Sequence, residues 1–325
     1  MKKIKRFGVF ALAALMAVGT CACVGKNNVK DGRYTIGICQ IVEHEALEEA
    51  NKGFKDALTE KLGDKVRFDV KNAQNDIDTC ATIINGFVSS EVDLILANST
   101  PALQAAAATT NMIPILGTSI TEYGAALDIK DFDGTTGFNV SGTSDIAPLD
   151  EQAAMIKELF PDAKKVAMIY CSSEANSIYQ VKKMKTLLEE LGIESKAFSF
   201  VDATDITNVT VAAAEYADVV YLPTDNTVAE NKGAIYNVCM QKDFMVPVIA
   251  GEEGTCKDCA VATLSINYYD LGYKTGEMAY EIIANGADIS KMEIEYAPQV
   301  VKKYDEDICK ELGIQIPEGY EPIKK

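Results

Sequence analysis

Several stretches of the chain place small hydroxyls, amides and carboxylates at the end of an apolar run. They are Gln40 with Glu43 and His44; Asn98-Ser99-Thr100-Pro101; Thr118-Ser119; Ser172 to Ser177, with Glu174 and Asn176 among them; Thr224-Asp225-Asn226-Thr227; and Gly251-Glu252-Glu253-Gly254. Groups of this kind bind rather than react. Hydroxyls and helix N-terminal N–H groups suit a carboxylate, and a side-chain carboxylate suits an ammonium. Together they describe a site for an amino-acid zwitterion. The same residue types are also the preferred helix N-caps, so each is equally placed to begin a helix. Asp225-Asn226 carries more specific information, because two polar groups directly follow an apolar strand. Glu43 and Glu253 stay open between the two roles.

Catalytic patterns are missing from the sequence. His44 is the one histidine, and no G-x-S-x-G elbow accompanies it. Cys256-Lys-Asp-Cys259 lacks the second pair or nearby histidines that a zinc site needs. Asp131-Phe132-Asp133-Gly134 resembles part of a calcium loop, but Ile129 and Val140 occupy the first and last ligand positions. No Gly-rich phosphate cradle stands at a strand end. The expectation is a binding protein, not an enzyme, with no cofactor and no metal.

The elements that must position these groups read as alternating strands and helices. Tyr34–Gln40, Val66–Val70, Val92–Ala97 and Ile113–Gly117 are strand-like, separated by helical patterns over Ala46 to Leu62, Ile77–Val88 and Pro101–Thr110. The order then returns: strands Val166–Cys171, Glu194–Phe200, Asp218–Leu222 and Val246–Ala250 alternate with helices Ile178–Leu191, Ile206–Tyr216 and Val228–Gln241. Ile36, Asp93 and Pro114 fall on Ala167, Asp218 and Pro247 at near-constant spacing. Two similar α/β lobes follow, each a parallel sheet flanked by helices on both faces.

Phe138–Asp145 leads out of the first lobe into an amphipathic helix, Pro148–Phe160. Val261–Ile266, a helix through Leu271 and Ile283, and a strand Ile294–Val301 complete the chain. Crossings between lobes are expected near Ser141–Ser144, Ile266–Tyr268 and Asp288–Glu293. Residues 34–142 with 268–289 then form the first lobe, and 143–267 with 290–325 the second. Multiple crossings make a hinge, and a hinge between two sheets makes a closable cleft. Ligands of open parallel sheets bind beyond the strands' carboxyl ends, which is where the polar stretches lie.

The N-terminus sets the compartment. Lys2, Lys3, Lys5 and Arg6 precede an apolar run from Val9 to Val18, which ends at Cys21 and Cys23. This is an export signal, too short for a membrane span of about 20 apolar residues. The small residues before Cys23 resemble the lipobox of bacterial lipoproteins, and Ala22-Cys23 fits it better than Thr20-Cys21. An ordinary cleaved signal with incidental cysteines is the alternative. Residues 1–22 are the expected leader and 23–33 a polar tether to a protein working outside the cytoplasmic membrane. The formal charge is −17, more negative still without the leader's cations, which disfavours nucleic acid. Of the nine cysteines, Cys39 and Cys171 read as buried hydrophobes. Cys256 and Cys259 are either a local disulfide or two free thiols.

The residues also resemble a known family. Ile36-Gly-Ile-Cys-Gln-Ile-Val-Glu-His44 with Gly53-Phe54, Asn139-Val-Ser-Gly-Thr-Ser-Asp145, Glu174-Ala-Asn-Ser177, Thr224-Asp-Asn-Thr-Val228 and Tyr268-Tyr-Asp-Leu-Gly-Tyr-Lys-Thr-Gly276 are similar to the tryptophan/tyrosine-type substrate-binding proteins of ABC transporters. The resemblance implies a type I periplasmic-binding fold, capture of an amino acid, aromatic above all, and an ABC permease and ATPase as partners of a lipid-anchored monomer. Carried over residue by residue, it implies that Asn176, Ser177, Ser141 and Ser144 hold the ligand carboxylate. Asp225 beside Asn226, with Glu253, would hold the ammonium. Gln40, Glu43, Thr100 and Ala102 would complete the first-lobe wall. The Cys256–Cys259 loop departs from the family pattern. Tyr123 is a ring-stacking wall or a surface loop aromatic. A surface receptor or adhesin on the same fold is the competing function.

Overall fold

A computed structural model describes residues 32–297 and 299–324. The leader, most of the tether and the lipidation candidate Cys23 lie outside the described residues.

The first part of the chain runs β1 (Tyr34–Gln40), α1 (Glu45–Leu62), β2 (Val66–Asn72), α2 (Ile77–Ser89), β3 (Leu94–Asn98), α3 (Thr100–Thr109), β4 (Ile115–Ile120), α4 (Tyr123–Leu127) and β5 (Val140–Ser144). The second runs α5 (Leu149–Leu159), β6 (Lys165–Cys171), α6 (Ala175–Glu190), β7 (Glu194–Phe200), α7 (Ile206–Tyr216), β8 (Val219–Leu222), α8 (Asn226–Glu230), α9 (Lys232–Cys239), β9 (Val248–Ala250), α10 (Glu253–Cys256) and β10 (Ala262–Ile266). The chain then returns through α11 (Tyr268–Ile283) and β11 (Glu295–Tyr296). It ends with β12 (Val300–Tyr304), α12 (Glu306–Leu312) and β13 (Glu321–Pro322).

Two sheets result, ordered β11-β5-β4-β3-β1-β2 and β13-β12-β10-β9-β8-β6-β7. All pairings are parallel except β10 with β12. Central strands are covered by helices on both faces, so they read as unbroken apolar runs; every residue of β3, β4 and β8 is buried. The edge strand β7 is mostly exposed and carries Glu, Ser and Lys ahead of its aromatics.

Helix α11 stays with the first sheet, laid along α1. Three glycines set how close the two come. A Cβ at Gly272 would stand 1.8 Å from the Ala50 carbonyl, one at Gly53 would stand 2.0 Å from that of Tyr269, and one at Gly276 would meet Phe54 and Ala57 at 2.7 Å. The backbones touch where larger residues would hold them apart.

Four expectations change, and one open alternative is decided. The strand read as Ile294–Val301 is two strands: β11 pairs with β5 in the first sheet and β12 with β10 in the second. The third crossing therefore follows Tyr296, and residues 290–296 go with the first sheet. The first crossing follows β5, which places residues 143–144 in the first sheet too. The helix read as Val228–Gln241 is broken at Asn231, whose side-chain amide donates to the Thr227 carbonyl and whose N–H donates to the carbonyls of Thr227 and Val228. Cys256 and Cys259 are free thiols, both buried. Among the described residues, no helix is long and apolar enough to cross a membrane, and no cluster could hold a metal ion.

Candidate functional site

Between the sheets, beyond the carboxyl ends of their strands, lies a cavity. The first lobe contributes His44, Leu47, Ser119, Thr121 and Asp145; the second contributes Asn176, Thr224, Asp225, Asn226, Ala229 and Glu252; Tyr268 comes from the head of α11. The lobes are shut on a volume of about 10 Å³, room for roughly one water. Polar contacts join their rims: His44 Nε2 lies 3.3 Å from Asn226 Oδ1, and Asn75 donates to Thr227 Oγ1 at 3.2 Å and Glu230 Oε2 at 3.1 Å. Lys257 reaches Glu45 at 3.4 Å. A solute larger than water must part the lobes to reach the centre.

Three side chains on this wall carry a buried oxygen without a hydrogen-bond partner: Ser119 Oγ, Asp145 Oδ1 and Asn176 Oδ1. A buried unsatisfied oxygen costs about 1–3 kcal/mol, so their convergence is informative. Each is fixed by its surroundings. Ser119 stands where the β4–β5 register slips between Gly117 and Ile120, with φ of +57°. A bulge of this kind re-aims a side chain out of the alternating pattern. Tyr123 pins it from beneath, its hydroxyl 3.1 Å from the carbonyls of both Gly117 and Thr143. Tyr123 is therefore a core residue, 1% exposed, neither ring-stacking wall nor surface aromatic.

Asp145 directly follows β5. Its Oδ2 accepts from the Tyr268 hydroxyl at 2.9 Å, and burial pushes its carboxyl up to about 6 against the hydrogen bonds from Tyr268 and Thr121. Asn176 donates to Glu174 Oε2, Ser177 Oγ and the Thr224 carbonyl, so its amide nitrogen is held by the second lobe and its carbonyl is left over. Acceptors dominate this wall: a carboxylate, an amide carbonyl and a hydroxyl lining one cavity are complementary to an ammonium.

The second-lobe carboxylates are differently occupied. Glu174 Oε1 accepts from the N–H and hydroxyl of Thr227, and Oε2 from the N–H and amide of Asn226 and the amide of Asn176. Asp225 caps α8 through Val228 N at 2.9 Å and takes Cys171 N at 2.7 Å on its other oxygen. Burial, with Glu174 beside it, pushes its carboxyl well above the usual range. Asp225 lines the cavity, but both its oxygens already serve the lobe's own backbone.

Of the residues singled out in the sequence, Asn176, Asp225 and Asn226 line the cavity, as does His44. The others have different partners. Gln40 is the hub of a buried amide cluster, its Oε1 accepting from Asn51 and Asn98. Glu43 is exposed. Thr100 and Ala102 are buried in the first turn of α3, which Ser99 caps. The Ser141 hydroxyl donates to the Met292 carbonyl at 3.0 Å and that of Ser144 to Thr121 at 2.9 Å. Ser141 therefore ties β5 to the chain ahead of β11, Ser144 ties the end of β5 to that of β4, and neither lines the cavity. Ser177 is fully buried behind Asn176. Glu253 lines a second cavity of about 550 Å³ beside the hinge, where it pairs with Lys303. Ser119 is named in the sequence only as one strand-end hydroxyl among several, and Asp145 and Tyr268 are given no ligand role there. For Asp145 the available signal is a carboxylate ending a hydroxyl-rich strand at an expected crossing; for Ser119 it is its place at the end of an apolar strand.

Comparison with known proteins agrees with this architecture. A tyrosine-binding protein of Clostridioides difficile (strain R20291) is 36% identical over 283 residues, 86% of this chain and 81% of that one. The structure of an ABC domain from Streptococcus pneumonia in complex with L-Trp matches with a TM-score of 0.84 at 29% identity, over 90% of this chain and 100% of that one. The ligand-free, open structure of a Clostridium difficile substrate-binding protein with adhesive properties matches at 0.68 and 37% identity, over 90% and 99%. The less identical ligand complex superposes better than the more identical open form, as shut lobes require. Residues 35–320 match the family described as ABC transporter substrate binding protein. With both halves built as parallel sheets under helices and a cleft closed between them, the chain belongs to the ABC transporter substrate-binding proteins of the type I periplasmic-binding fold.

Proposed function

We propose that this protein captures an aromatic amino acid between its lobes and delivers it to an ABC permease and ATPase, working as an extracytoplasmic monomer anchored by a lipid on Cys23. The observation that carries the reading is the meeting of Ser119 Oγ, Asp145 Oδ1 and Asn176 Oδ1, three buried acceptors without partners, on one cavity. An α-ammonium offers them three donors and a charge opposite to Asp145. The hydroxyl of Thr224 and the ring of His44 line the same cavity and would donate to the α-carboxylate. Leu47, Ala229 and the faces of His44 and Tyr268 supply the apolar remainder for a ring. The related proteins described as tyrosine-binding and as bound to L-Trp support the aromatic class. Contacts to both lobes favour the shut state over the open one, and nothing in the arrangement calls for catalysis.

Calorimetry against the twenty amino acids tests this. L-Tyrosine and L-tryptophan are expected to bind most tightly; a protein that binds none of the twenty overturns the reading. The adhesive properties of the Clostridium difficile relative favour a second role in surface attachment. Host-cell binding by the purified chain, unaffected by saturating tyrosine, distinguishes that role from transport.

A further inference from the structure

We propose that the Tyr123 hydroxyl clamps the slip between β4 and β5 and thereby sets the spacing of the two first-lobe acceptors, Ser119 Oγ and Asp145 Oδ1. Resting on the amino-acid reading of the cleft, this makes Tyr123 a positioning residue for the ligand ammonium. The two strands pair in step up to Gly117 and Gly142, then resume at Ile120 and Ser144. Three residues of β4 thus span what two of β5 span, and within that excess Ser119 takes its left-handed backbone, with φ of +57°. The Tyr123 hydroxyl lies 3.1 Å from the carbonyls of Gly117 and Thr143, one on each strand. Ser119 comes two residues after the first carbonyl and Asp145 two residues after the second. Both acceptors without a partner therefore leave their strands equally far beyond one hydroxyl.

The fit around that hydroxyl is close. A Cβ at Gly117 or at Gly142 would stand 2.5 Å from it, so the two paired glycines leave the space that the phenol oxygen fills. The hydroxyl has one proton for two carbonyls. Equal distances make it a shared bond, which holds each strand against the other. Tyr123 is itself fixed: it opens α4, and Glu122 caps that helix through the N–H groups of Gly124 and Ala125. At the far end of the slip, the Asp145 N–H donates to the Ile120 carbonyl at 3.0 Å and the Ser144 hydroxyl to that of Thr121 at 2.9 Å. The bulge is closed at both ends. Removing the phenol oxygen frees the near end, so the extra residue can move along β4. A bulge that moves re-aims the side chains beside it, and Ser119 and Asp145 lose their common target.

Tyr123→Phe keeps the ring and deletes the clamp. Calorimetry with L-tyrosine and with L-tryptophan is expected to show about ten-fold weaker binding for Tyr123→Phe and for Ser119→Ala. The double variant should also bind about ten-fold more weakly, not a hundred-fold, because a Ser119 hydroxyl that has lost its aim contributes nothing further. Hydrogen exchange without ligand, followed by NMR, gives a readout independent of the amino acid: the Asp145 amide should exchange at least about ten-fold faster in Tyr123→Phe. Unchanged binding, losses that multiply to about a hundred-fold, or an Asp145 amide that exchanges as in the parent each make Tyr123 a packing residue and overturn the clamp. If Tyr123→Phe does not fold, Ser119→Gly and Ser119→Ala decide. Both lack the hydroxyl and only glycine suits a positive φ, so Ser119→Gly should melt about 2–4 °C higher; equal melting overturns the clamp. A parent that binds neither amino acid, with Asp145 exchange still raised by Tyr123→Phe, overturns the cleft reading and the ammonium role while supporting the clamp on the strands.

Discussion

Two buried acidic sites face each other across the cleft and differ in what their oxygens do. On the second lobe, Glu174 and Asp225 are saturated by backbone and side-chain donors of their own lobe. On the first, Asp145 leaves one oxygen without a partner and gives the other to the Tyr268 hydroxyl. A carboxylate surrounded by its own backbone builds the rim; one left half-satisfied waits for a cation. Proximity to a cavity does not separate the two roles, but counting donors does.

Substitutions can break this contrast from either side. The largest effect is expected at Glu174: Glu174→Ala leaves the N–H groups of Asn226 and Thr227 and the Asn226 amide without their acceptor. It should lower folding stability by about 3–5 kcal/mol, read from denaturant or thermal unfolding. If Glu174→Ala folds as stably as the parent and only binding is lost, the rim assignment is wrong.

At Asp145 the pattern reverses. Asp145→Asn is expected to weaken tyrosine or tryptophan binding at least a hundred-fold, about 3 kcal/mol, while the protein stays folded. The sign of its stability effect follows from burial, which holds the native carboxyl near about 6, above the ordinary unfolded value of roughly 3.9. Between these values the native state binds more protons than the unfolded one, so Asp145 makes the protein more stable as pH falls through that window. Without ligand, Asp145→Asn should therefore be more stable than the parent at pH 7.5, by up to about 3 kcal/mol. The advantage should vanish near pH 4. A variant less stable at pH 7.5 would place Asp145 with Glu174 and Asp225 as a structural group. The smallest effect is expected at the exposed rim: Asn75→Ala removes the contacts to Thr227 and Glu230. It should speed ligand release only about two- to five-fold in stopped-flow measurements, the scale of one neutral hydrogen bond.

The sequence made the layers readable and left the bookkeeping of polar atoms hidden. Buried parallel strands are apolar throughout, so β1, β3, β6 and β8 stand out from the chain, and the helical spacing of Ala46, Leu47, Ala50, Phe54 and Leu58 marks α1. Which sheet a strand joins is not written in its hydrophobicity, and so Ile294–Val301 reads as one element where β11 and β12 go to different lobes. At the site, Asn176, Asp225 and Asn226 are recognisable as polar groups at strand ends. That Asp225 caps α8 while Asp145 keeps a free oxygen is invisible, because capping and ligand contact select the same residue types. Ser119 is legible as a strand-end hydroxyl, but its turn into the cleft depends on the slipped register beside Gly117, which the sequence does not show.

The bare helix contact at Gly53, Gly272 and Gly276 has a consequence for how the jaws move. Backbones that touch cannot slide, since any bulk between them has been removed, so α1 and α11 behave as one double-width girder. Both members end at the cavity: Leu47 and the preceding His44 at the head of one, Tyr268 at the head of the other. A solute settling there meets a wall that yields as a unit. The bending of opening and closing is thereby confined to the short crossings on either side of that girder.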